Sequence, residues 1–316
     1  MTAPVVLYAG SPAEAGAYER HLTHEAATID LAIELRMDAG ATDPAEVDYL
    51  VFAASGPVRD FRPYTRLKAI LNLWAGVAQV LALAPPREVP LVRMVEEGLT
   101  LGMLDYVTGH VMRHHLGLDR FVGPGATRDW GVPAPPLARE RRVTVLGLGA
   151  LGRAVAERLA MLGFATTGWS RTPKDVPGVR CLAGEAGFGQ ALDGAEIAVL
   201  LLPQTPATLG LIDRAALARL APGAALVNAA RGPILNDADV LDALDRGALG
   251  HATLDVFAVE PLPEDDPYRA HPRVTVTPHI ASVTRPETAS KAIALQIARA
   301  EAGERLRHVV RRESGY

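Results

Sequence analysis

Val-Thr-Val-Leu-Gly-Leu-Gly-Ala-Leu-Gly occupies residues 143–152, and this stretch decides the fold. Its first four residues form the short, largely apolar run that is typical of a buried parallel strand. Gly147, Gly149 and Gly152 come next, and Arg153–Leu162 continues with helical spacing of its apolar residues. In this register the glycines permit a tight turn, close approach of an anion to the backbone, and close helix–strand packing. The stretch therefore predicts the strand–turn–helix unit that opens a dinucleotide-binding fold.

Composition excludes several classes of protein. The chain has 316 residues, 49% hydrophobic and 22% charged, which suits two globular domains. A net charge of -4 gives no indication of nucleic acid binding. The single cysteine, Cys181, rules out an internal disulfide and suits a reducing compartment. No apolar run is long enough to span a membrane, and the N-terminus is typical of a first strand rather than a signal peptide. We expect a cytoplasmic protein with no membrane or nucleic acid partner.

Two series of strand and helix signals follow one another along the chain. They predict an α/β protein with two doubly wound parallel-sheet domains and a cleft between them, one a Rossmann cofactor domain and the other a flavodoxin-like substrate domain. The predicted strands of the first series are Val5–Tyr8, Thr28–Leu35, Tyr49–Ala53 and Lys68–Leu73. Those of the second series are Arg142–Leu146, Ala165–Trp169, Ile197–Leu202, Ala225–Asn228, Ala252–Asp255 and Val274–Thr277.

A long helix and a proline-rich connection lie between the two series, and a second long helix follows the second series. Apolar residues at helical spacing predict one helix over Leu99–Leu116, and Arg285–His308 is also helical in pattern. Between Val122 and Pro136 the chain is rich in proline and glycine, which disfavours a helix or a central strand.

The tip of the second strand of the cofactor domain indicates which dinucleotide binds. An NAD site usually carries Asp or Glu there to hold the ribose hydroxyls. This chain has Ser170, Arg171, Thr172 and Lys174 instead, and no carboxylate. Arg171 can pair with a 2′-phosphate and Ser170 can donate to it. We therefore predict NADP(H) as the preferred cofactor, with NAD(H) possible.

Three residues at successive strand ends suit the reduction of a 2-keto acid. Arg231 follows the strand that ends at Asn228, and its forked donors match adjacent carboxylate and carbonyl oxygens. His279 follows another strand and is a natural proton donor near neutral pH. Glu260 can hydrogen-bond His279 and hold its donor form in place. Each alone is more often structural, but together at one sheet edge they predict a catalytic site.

A histidine cluster on the first long helix offers a competing reading. His110, His114 and His115 have the spacing of metal ligands. The zinc-protease pattern requires Glu at position 111, where this chain has Val111, and no third ligand is evident. We expect surface histidines at a helix end and no metal.

These segments resemble the D-isomer-specific 2-hydroxyacid dehydrogenases. Residues 72–77 (Asn-Leu-Trp-Ala-Gly-Val) and 91–95 (Leu-Val-Arg-Met-Val) resemble the glyoxylate/hydroxypyruvate reductase A branch in particular. The resemblance implies a discontinuous substrate domain over 1–98 and 285–316, a cofactor domain over 99–284, and a homodimer formed through the cofactor domain. It also implies that Trp74, Ala75 and Gly76, together with Arg231 and His279, bind substrate.

The resemblance completes the expected cofactor site. Its members lie in the glycine-rich turn, at the second strand tip, and on the loops that pass the nicotinamide. They are Gly147, Gly149, Ala150, Leu151, Gly152, Ser170, Arg171, Thr172, Lys174, Leu202, Pro203, Thr208, Ala229, Ala230, Arg231, Asp255 and His279. Within this set, Asp255 is the residue that would orient the nicotinamide carboxamide.

The predicted activity is the NADPH-dependent reduction of a small 2-keto acid to a D-2-hydroxy acid, with glyoxylate and hydroxypyruvate as candidate substrates. Two alternatives remain at the level of sequence. One is another dehydrogenase of this superfamily, of the phosphoglycerate or D-lactate type. The other is a nucleotide-sensing binding protein that keeps the fold without turnover.

Overall fold

The chain forms two compact units in a computed structural model that describes residues 3–122 and 126–313. The first unit comprises Met1–Leu99 and Val283–Tyr316, and the second comprises Thr100–Ser282. Part of the predicted proline-rich connection, Gly123–Gly125, lies outside the described residues.

The described residues contain twelve strands and nine α-helices. The strands are β1 Val5–Ala9, β2 Glu34–Arg36, β3 Tyr49–Phe52, β4 Ala69–Asn72, β5 Leu91–Val92, β6 Arg142–Leu146, β7 Ala165–Ser170, β8 Arg180–Ala183, β9 Ile197–Leu200, β10 Ala224–Asn228, β11 Leu249–Leu254 and β12 Val274–Val276. The helices are α1 Ala15–Thr28, α2 Ala78–Ala82, α3 Glu97–Leu116, α4 Ala150–Met161, α5 Gly184–Leu192, α6 Arg214–Leu217, α7 Asp237–Asp245, α8 Pro267–Ala270 and α9 Pro286–Glu301.

The first unit is built on a five-stranded parallel sheet with the order β2-β1-β3-β4-β5. This is the flavodoxin-like order, in which ligands bind beyond the carboxyl ends of the strands. β1, β3 and β4 are buried almost throughout, which explains their continuous apolar runs. Helices α1 and α9 pack against each other in this unit. The C-terminal segment therefore completes the first unit.

The second unit has a seven-stranded parallel sheet with the order β12-β11-β10-β9-β6-β7-β8. The order reverses between β6 and β9, as it does in Rossmann folds. Apolar side chains cover both faces of the sheet in two separate clusters. The predicted architecture of two doubly wound parallel-sheet domains is confirmed.

Some predicted elements were wrong or missing. Only the last two residues of the expected strand over Thr28–Leu35 are strand, because α1 runs through Thr28 and the chain then turns at Asp30, which has a φ of 54°. The real β2 is a short edge strand with little buried surface. β5 and β8 were not predicted, since β5 has only two residues and β8 is an edge strand without a buried apolar run.

The α3 histidines are not on the surface, which corrects the expectation from the sequence. The His114 side chain is 4% exposed and its Nε2 lies 3.0 Å from Thr253 Oγ1 on β11. His115 is buried with its ring edge-on to Phe164. Both are buried because α3 packs against the sheet.

Across the described ranges, no group of three or more His, Cys, Asp or Glu residues is placed to hold a metal ion. The same ranges contain no helix with the length and apolar character needed to cross a bilayer.

Candidate active site

The glycine-rich turn joins β6 to α4 by close packing that excludes side chains at two of its positions. Gly147 has a φ of 106°, and a Cβ there would lie 2.5 Å from the Leu201 carbonyl oxygen. A Cβ at Gly152 would lie 1.7 Å from the Gly147 carbonyl oxygen. These two glycines are therefore required by the fold itself.

Gly149 differs, because a Cβ added there would meet nothing within 4 Å. It is the exposed N-cap of α4, and Ala150 and Leu151 begin the helix. The first backbone N–H groups of a helix have no acceptor within the helix and attract anions. An open space bordered by these donors fits the pyrophosphate of a dinucleotide.

The tip of β7 presents the basic residues that the sequence indicated. Arg171, Thr172 and Lys174 are all exposed. Ser170 is buried, and its hydroxyl donates to the Thr172 carbonyl at 2.7 Å. The Ser170 hydroxyl therefore stabilises the turn that carries Arg171. Its proton is engaged in this hydrogen bond, contrary to the expected donation to a phosphate. No carboxylate occupies this tip in the sequence 170–174.

The loop after β9 is held in shape by Thr208. The Thr208 hydroxyl lies 2.8 Å from the carbonyl oxygen of Pro203 and accepts a hydrogen bond from the backbone N–H of Thr205. Leu202 is buried at the start of this loop. Thr208 therefore stabilises the loop from inside, and Pro203 is half-buried, more accessible than Leu202 and Thr208.

Arg231 is positioned by a buried asparagine that the sequence analysis did not single out. Asn228, at the end of β10, accepts from Ala230 N at 3.0 Å and donates through Nδ2 to the Arg231 carbonyl at 3.2 Å. These bonds fold residues 228–231, including the buried Ala229, into a fixed turn. In the sequence, the only indication of this role is that Asn228 is a polar residue at the end of an apolar strand.

The Arg231 guanidinium is partly enclosed. Its Nη1 donates to the Ala230 carbonyl at 2.6 Å, and within residues 3–122 and 126–313 its other donors remain available. Burial lowers the pKa of Arg231, and the nearby charge of Glu260 acts in the opposite direction. Gly232 follows, where a Cβ would lie 2.0 Å from the carbonyl carbon of Phe257. This close packing brings the Arg231 turn beside the segment that carries Glu260.

Glu260 and His279 form a hydrogen-bonded pair. Glu260 Oε2 lies 2.7 Å from His279 Nδ1, and its Oε1 accepts from Phe257 N at 2.9 Å. A carboxylate only accepts, so Nδ1 carries the proton toward Glu260 and Nε2 is the ring atom left for chemistry. The His279 side chain is 45% exposed and its backbone has a φ of 55°, which is uncommon for a residue with a side chain. Backbone strain of this kind clusters at functional sites.

Asp255 is a buried anchor for the segment that carries His279. Its Oδ1 accepts from Thr277 Oγ1 at 2.6 Å and from Ile280 N at 2.8 Å, and its Oδ2 accepts from Ala281 N at 2.8 Å. The residue is only 1% exposed. In addition, His279 N donates to the Asp255 carbonyl at 2.9 Å. Four hydrogen bonds thus tie Asp255 to residues 277–281.

The turn after β4 in the first unit contains the expected substrate-binding residues. Within residues 3–122 and 126–313, no group accepts from the backbone N–H of Trp74, Ala75, Gly76 or Val77. Asn72 Nδ2 donates to the carbonyls of Trp74 at 2.7 Å and Gly76 at 3.0 Å. Consecutive unpaired amides held in a fixed turn are suited to binding a carboxylate.

Comparison with known proteins agrees with this arrangement. The sequence profile described as "D-isomer specific 2-hydroxyacid dehydrogenase, NAD binding domain" matches residues 110–281. Glyoxylate/hydroxypyruvate reductase A of Serratia proteamaculans (strain 568) is 40% identical over 245 residues, which are 76% of this chain and 78% of that protein.

Two solved structures each cover 100% of both chains. The D-isomer specific 2-hydroxyacid dehydrogenase of Xanthobacter autotrophicus Py2, in complex with NADPH and MES, has a TM-score of 0.92 and 36% identity. The NADPH-dependent glyoxylate/hydroxypyruvate reductase of Sinorhizobium meliloti, in complex with NADP and sulfate, has a TM-score of 0.88 and 32% identity.

The profile match lies within the second unit and spans the glycine-rich turn, Arg231, Glu260 and His279, and the two structural matches extend over both units. The oxidoreductase fold and family expected from the sequence are thereby confirmed: this chain belongs to the D-isomer specific 2-hydroxyacid dehydrogenase family.

Proposed function

We propose that this protein is an NADPH-preferring reductase of small 2-keto acids, of the glyoxylate and hydroxypyruvate type, that forms D-2-hydroxy acids. The observation that carries the proposal is the His279–Glu260 pair at the same sheet edge as Arg231, with Nε2 of His279 unengaged among the described residues. The first unit is assigned to the substrate and the second to the cofactor.

Three residues of the second unit have separate roles in keto-acid reduction. Arg231 offers fixed donors to the carboxylate and the carbonyl oxygen, so that negative charge developing on that oxygen is stabilised. His279 delivers a proton from Nε2 to the same oxygen, and Glu260 stabilises its protonated ring. NADPH, when bound, supplies the hydride. Trp74–Val77 in the first unit supplies backbone donors for the substrate carboxylate.

The preference for NADPH rests on charge at the tip of β7. Exposed Arg171 and Lys174 favour a 2′-phosphate, and a carboxylate that would repel it is missing from 170–174. The relatives from Xanthobacter autotrophicus and Sinorhizobium meliloti were crystallised with NADPH and NADP respectively. NAD(H) is a slower alternative cofactor under this proposal.

The test is a steady-state assay of purified protein with glyoxylate, hydroxypyruvate and pyruvate, each with NADPH and with NADH. We expect a higher kcat/KM with NADPH. Arg171→Ala should lower the NADPH-to-NADH ratio by roughly 10–100-fold, which corresponds to one charge-assisted hydrogen bond. Arg180→Ala, an exposed arginine on the neighbouring β8, is the matched control and should leave the ratio unchanged. An unaltered ratio in Arg171→Ala would remove that residue from the cofactor site, and absence of turnover with every keto acid would refute the function.

We also propose a homodimer formed through the second unit. After α3, the apolar side chains of Phe121, Trp130 and Leu137 are exposed, and Trp130 is 101% exposed. These three large exposed apolar side chains lie within one stretch of the chain, 121–137, which is the candidate interface. Light scattering after size exclusion should give a dimer mass for the wild type and a monomer mass for Trp130→Ser. Met161→Ser, a similarly exposed position on α4, is the control.

We place the protein in the cytoplasm. The one cysteine in the sequence, Cys181, is half-buried and forms no disulfide, as suits a reducing compartment. Fractionation of the native host with detection of NADPH-dependent keto-acid reduction would test this placement.

A further inference from the structure

Three hydrogen-bonded side chains join helix α3 to the segment that carries His279. Tyr106 lies on α3, and its hydroxyl is 2.7 Å from Oγ1 of Thr277, the residue that follows β12. Thr277 Oγ1 is in turn 2.6 Å from Asp255 Oδ1. The Asp255 side chain is buried, and Tyr106 and Thr277 are half-buried. All of these residues belong to the second unit, so the network lies within one compact body.

The acceptor at the end of this network determines the direction of both hydrogen bonds. A carboxylate only accepts, so Thr277 donates its single hydroxyl proton to Asp255. Thr277 Oγ1 therefore accepts from Tyr106, and the phenol is the donor. Burial raises the pKa of Tyr106 to about 12, so this donor keeps its proton at neutral pH. Tyr106 thus holds Thr277 in place from α3.

The segment that begins at Thr277 holds His279 in an unfavourable backbone conformation. His279 has a φ of 55°, in the left-handed region that residues with a Cβ rarely adopt. A conformation of this kind persists only where the surrounding contacts determine it. The backbone N–H of His279 donates to the carbonyls of Asp255 at 2.9 Å and Thr277 at 3.1 Å. The position of the imidazole therefore depends on Asp255 and Thr277, the two residues that the network connects to Tyr106.

Packing on α3 fixes the Tyr106 ring. His110, one turn later on the helix, lies against it with ring centroids 4.5 Å apart. Burial lowers the pKa of His110, so its ring is neutral near pH 7 and adds no charge beside the network. Val107 and Val111 are fully buried in the core of the second unit and hold this part of α3 in place. A side chain locked by packing in this way can determine the position of the group that it hydrogen-bonds.

We propose that Tyr106 is a positioning residue for the proton donor: through Thr277 and Asp255, its hydroxyl keeps the His279 imidazole where it delivers a proton to the substrate oxygen. In this role Tyr106 contacts neither substrate nor cofactor. Loss of its hydroxyl should therefore slow proton transfer and leave the binding of keto acid and NADPH unchanged. This inference rests on the proposed function and adds to it a residue that acts on catalysis from α3.

The first measurement removes single hydroxyl groups. Tyr106→Phe keeps the ring against His110 and should lower kcat for glyoxylate about 2–10-fold, the effect of one hydrogen bond, with the KM of glyoxylate and the Kd of NADPH unchanged. The solvent isotope effect on kcat should increase, because proton transfer becomes slower relative to the other steps. Thr277→Val breaks both hydrogen bonds and should lower kcat further, whereas Thr277→Ser keeps the hydroxyl and should retain wild-type kcat. Tyr49→Phe is the matched control, since it removes a tyrosine hydroxyl that donates to Glu301 in the first unit, and it should leave kcat unchanged.

The second measurement repeats Tyr106→Phe in a His279→Ala background, which separates positioning of the imidazole from a general structural effect. If Tyr106 acts through His279, its hydroxyl should contribute nothing to the residual kcat once the imidazole is absent. The proposal is wrong if Tyr106→Phe has wild-type kcat, if it lowers kcat by the same factor in both backgrounds, or if it raises KM or Kd instead.

A wild-type protein that reduces no keto acid would refute the proposed function, and the network is then judged by a measurement that needs no substrate. Hydrogen exchange of residues 277–281 should be faster in Tyr106→Phe than in the wild type, because the segment loses its attachment to α3. Equal exchange rates in the two proteins would overturn the inference whether or not the wild type turns over.

Discussion

Replacement of Asp255 by Asn isolates the contribution of one buried carboxylate to the position of His279. The wild-type side chain accepts three hydrogen bonds from Thr277, Ile280 and Ala281. In Asp255→Asn the amide nitrogen can replace Oδ2 and then faces the Ala281 N–H, so two donors oppose each other. Leaving that buried donor unsatisfied costs about 1–3 kcal/mol, and the loss of charge weakens the remaining two bonds by about 1 kcal/mol each. We therefore expect segment 277–281 to lose about 3–5 kcal/mol of local stability.

The expected catalytic effect follows from the attachment of His279 to this segment. A displacement of about 1 Å at a reacting group can lower the rate about 10²-fold, so kcat for hydroxypyruvate should fall by roughly that factor. Hydrogen exchange of residues 277–281 should accelerate, while the Kd of NADPH should change little, because Asp255 is buried and engaged with protein groups. Asp245→Asn is the control, since that carboxylate is 73% exposed and its side-chain partner among the described residues is His271, at 3.3 Å.

Two results would refute this reasoning. Wild-type kcat together with wild-type exchange in the Asn variant would mean that the three hydrogen bonds do not hold His279. A large increase in the Kd of NADPH with little change in kcat would mean that Asp255 acts on the cofactor, as the family resemblance implied, rather than on the proton donor.

Two further predictions concern other buried or reactive groups. His279→Ala should lower kcat about 10²–10⁴-fold, which is the usual contribution of general acid catalysis. NADPH binding, measured by fluorescence titration, should be retained. A near-normal kcat would exclude His279 as the proton donor. His114 should make the second unit sensitive to acid, because burial lowers its pKa in the folded state from 6.5 to about 3. Below about pH 6.5 the unfolded chain binds a proton at His114 that the folded chain does not bind. The free energy of unfolding therefore decreases as pH falls from 6.5 toward 3, by about 2 kcal/mol at pH 5. His114→Gln can still hydrogen-bond Thr253 and should reduce the dependence of stability on pH, as monitored by hydrogen exchange during urea unfolding. An equally steep loss of stability with falling pH in the variant would contradict the assignment.

The glycine-rich turn and the strand ends were predictable from short windows of sequence. A buried parallel strand is recognisable as an apolar run, and the register of Gly147, Gly149 and Gly152 indicates a turn that a side chain would obstruct. Since the carboxyl ends of parallel strands share one edge, Arg231, Glu260 and His279 could be assigned to one region without coordinates. The family resemblance then supplied the chemistry.

The atoms that meet within that region were not predictable in the same way. The hydrogen bonds that Asp255 accepts come from residues more than twenty positions away, and nothing in the sequence indicated them. Asn228 and Asn72 read as ordinary polar residues at strand ends, and only their hydrogen bonds show that they hold the turns bearing Arg231 and Trp74. Because such contacts join segments distant in the chain, no periodicity in the sequence encodes them.

The α3 histidines show the same division between local and long-range information. Helical spacing correctly predicted an α-helix over this region, since that pattern depends on neighbours three and four residues apart. Whether His114 faces water or Thr253 depends on how the helix packs on β11, more than 130 residues later. Local sequence thus determined the elements, their order and the edge where the site lies. Packing between distant segments determined which polar groups are buried, paired or left available for a ligand, because a buried polar group is stable only where the fold brings it a partner.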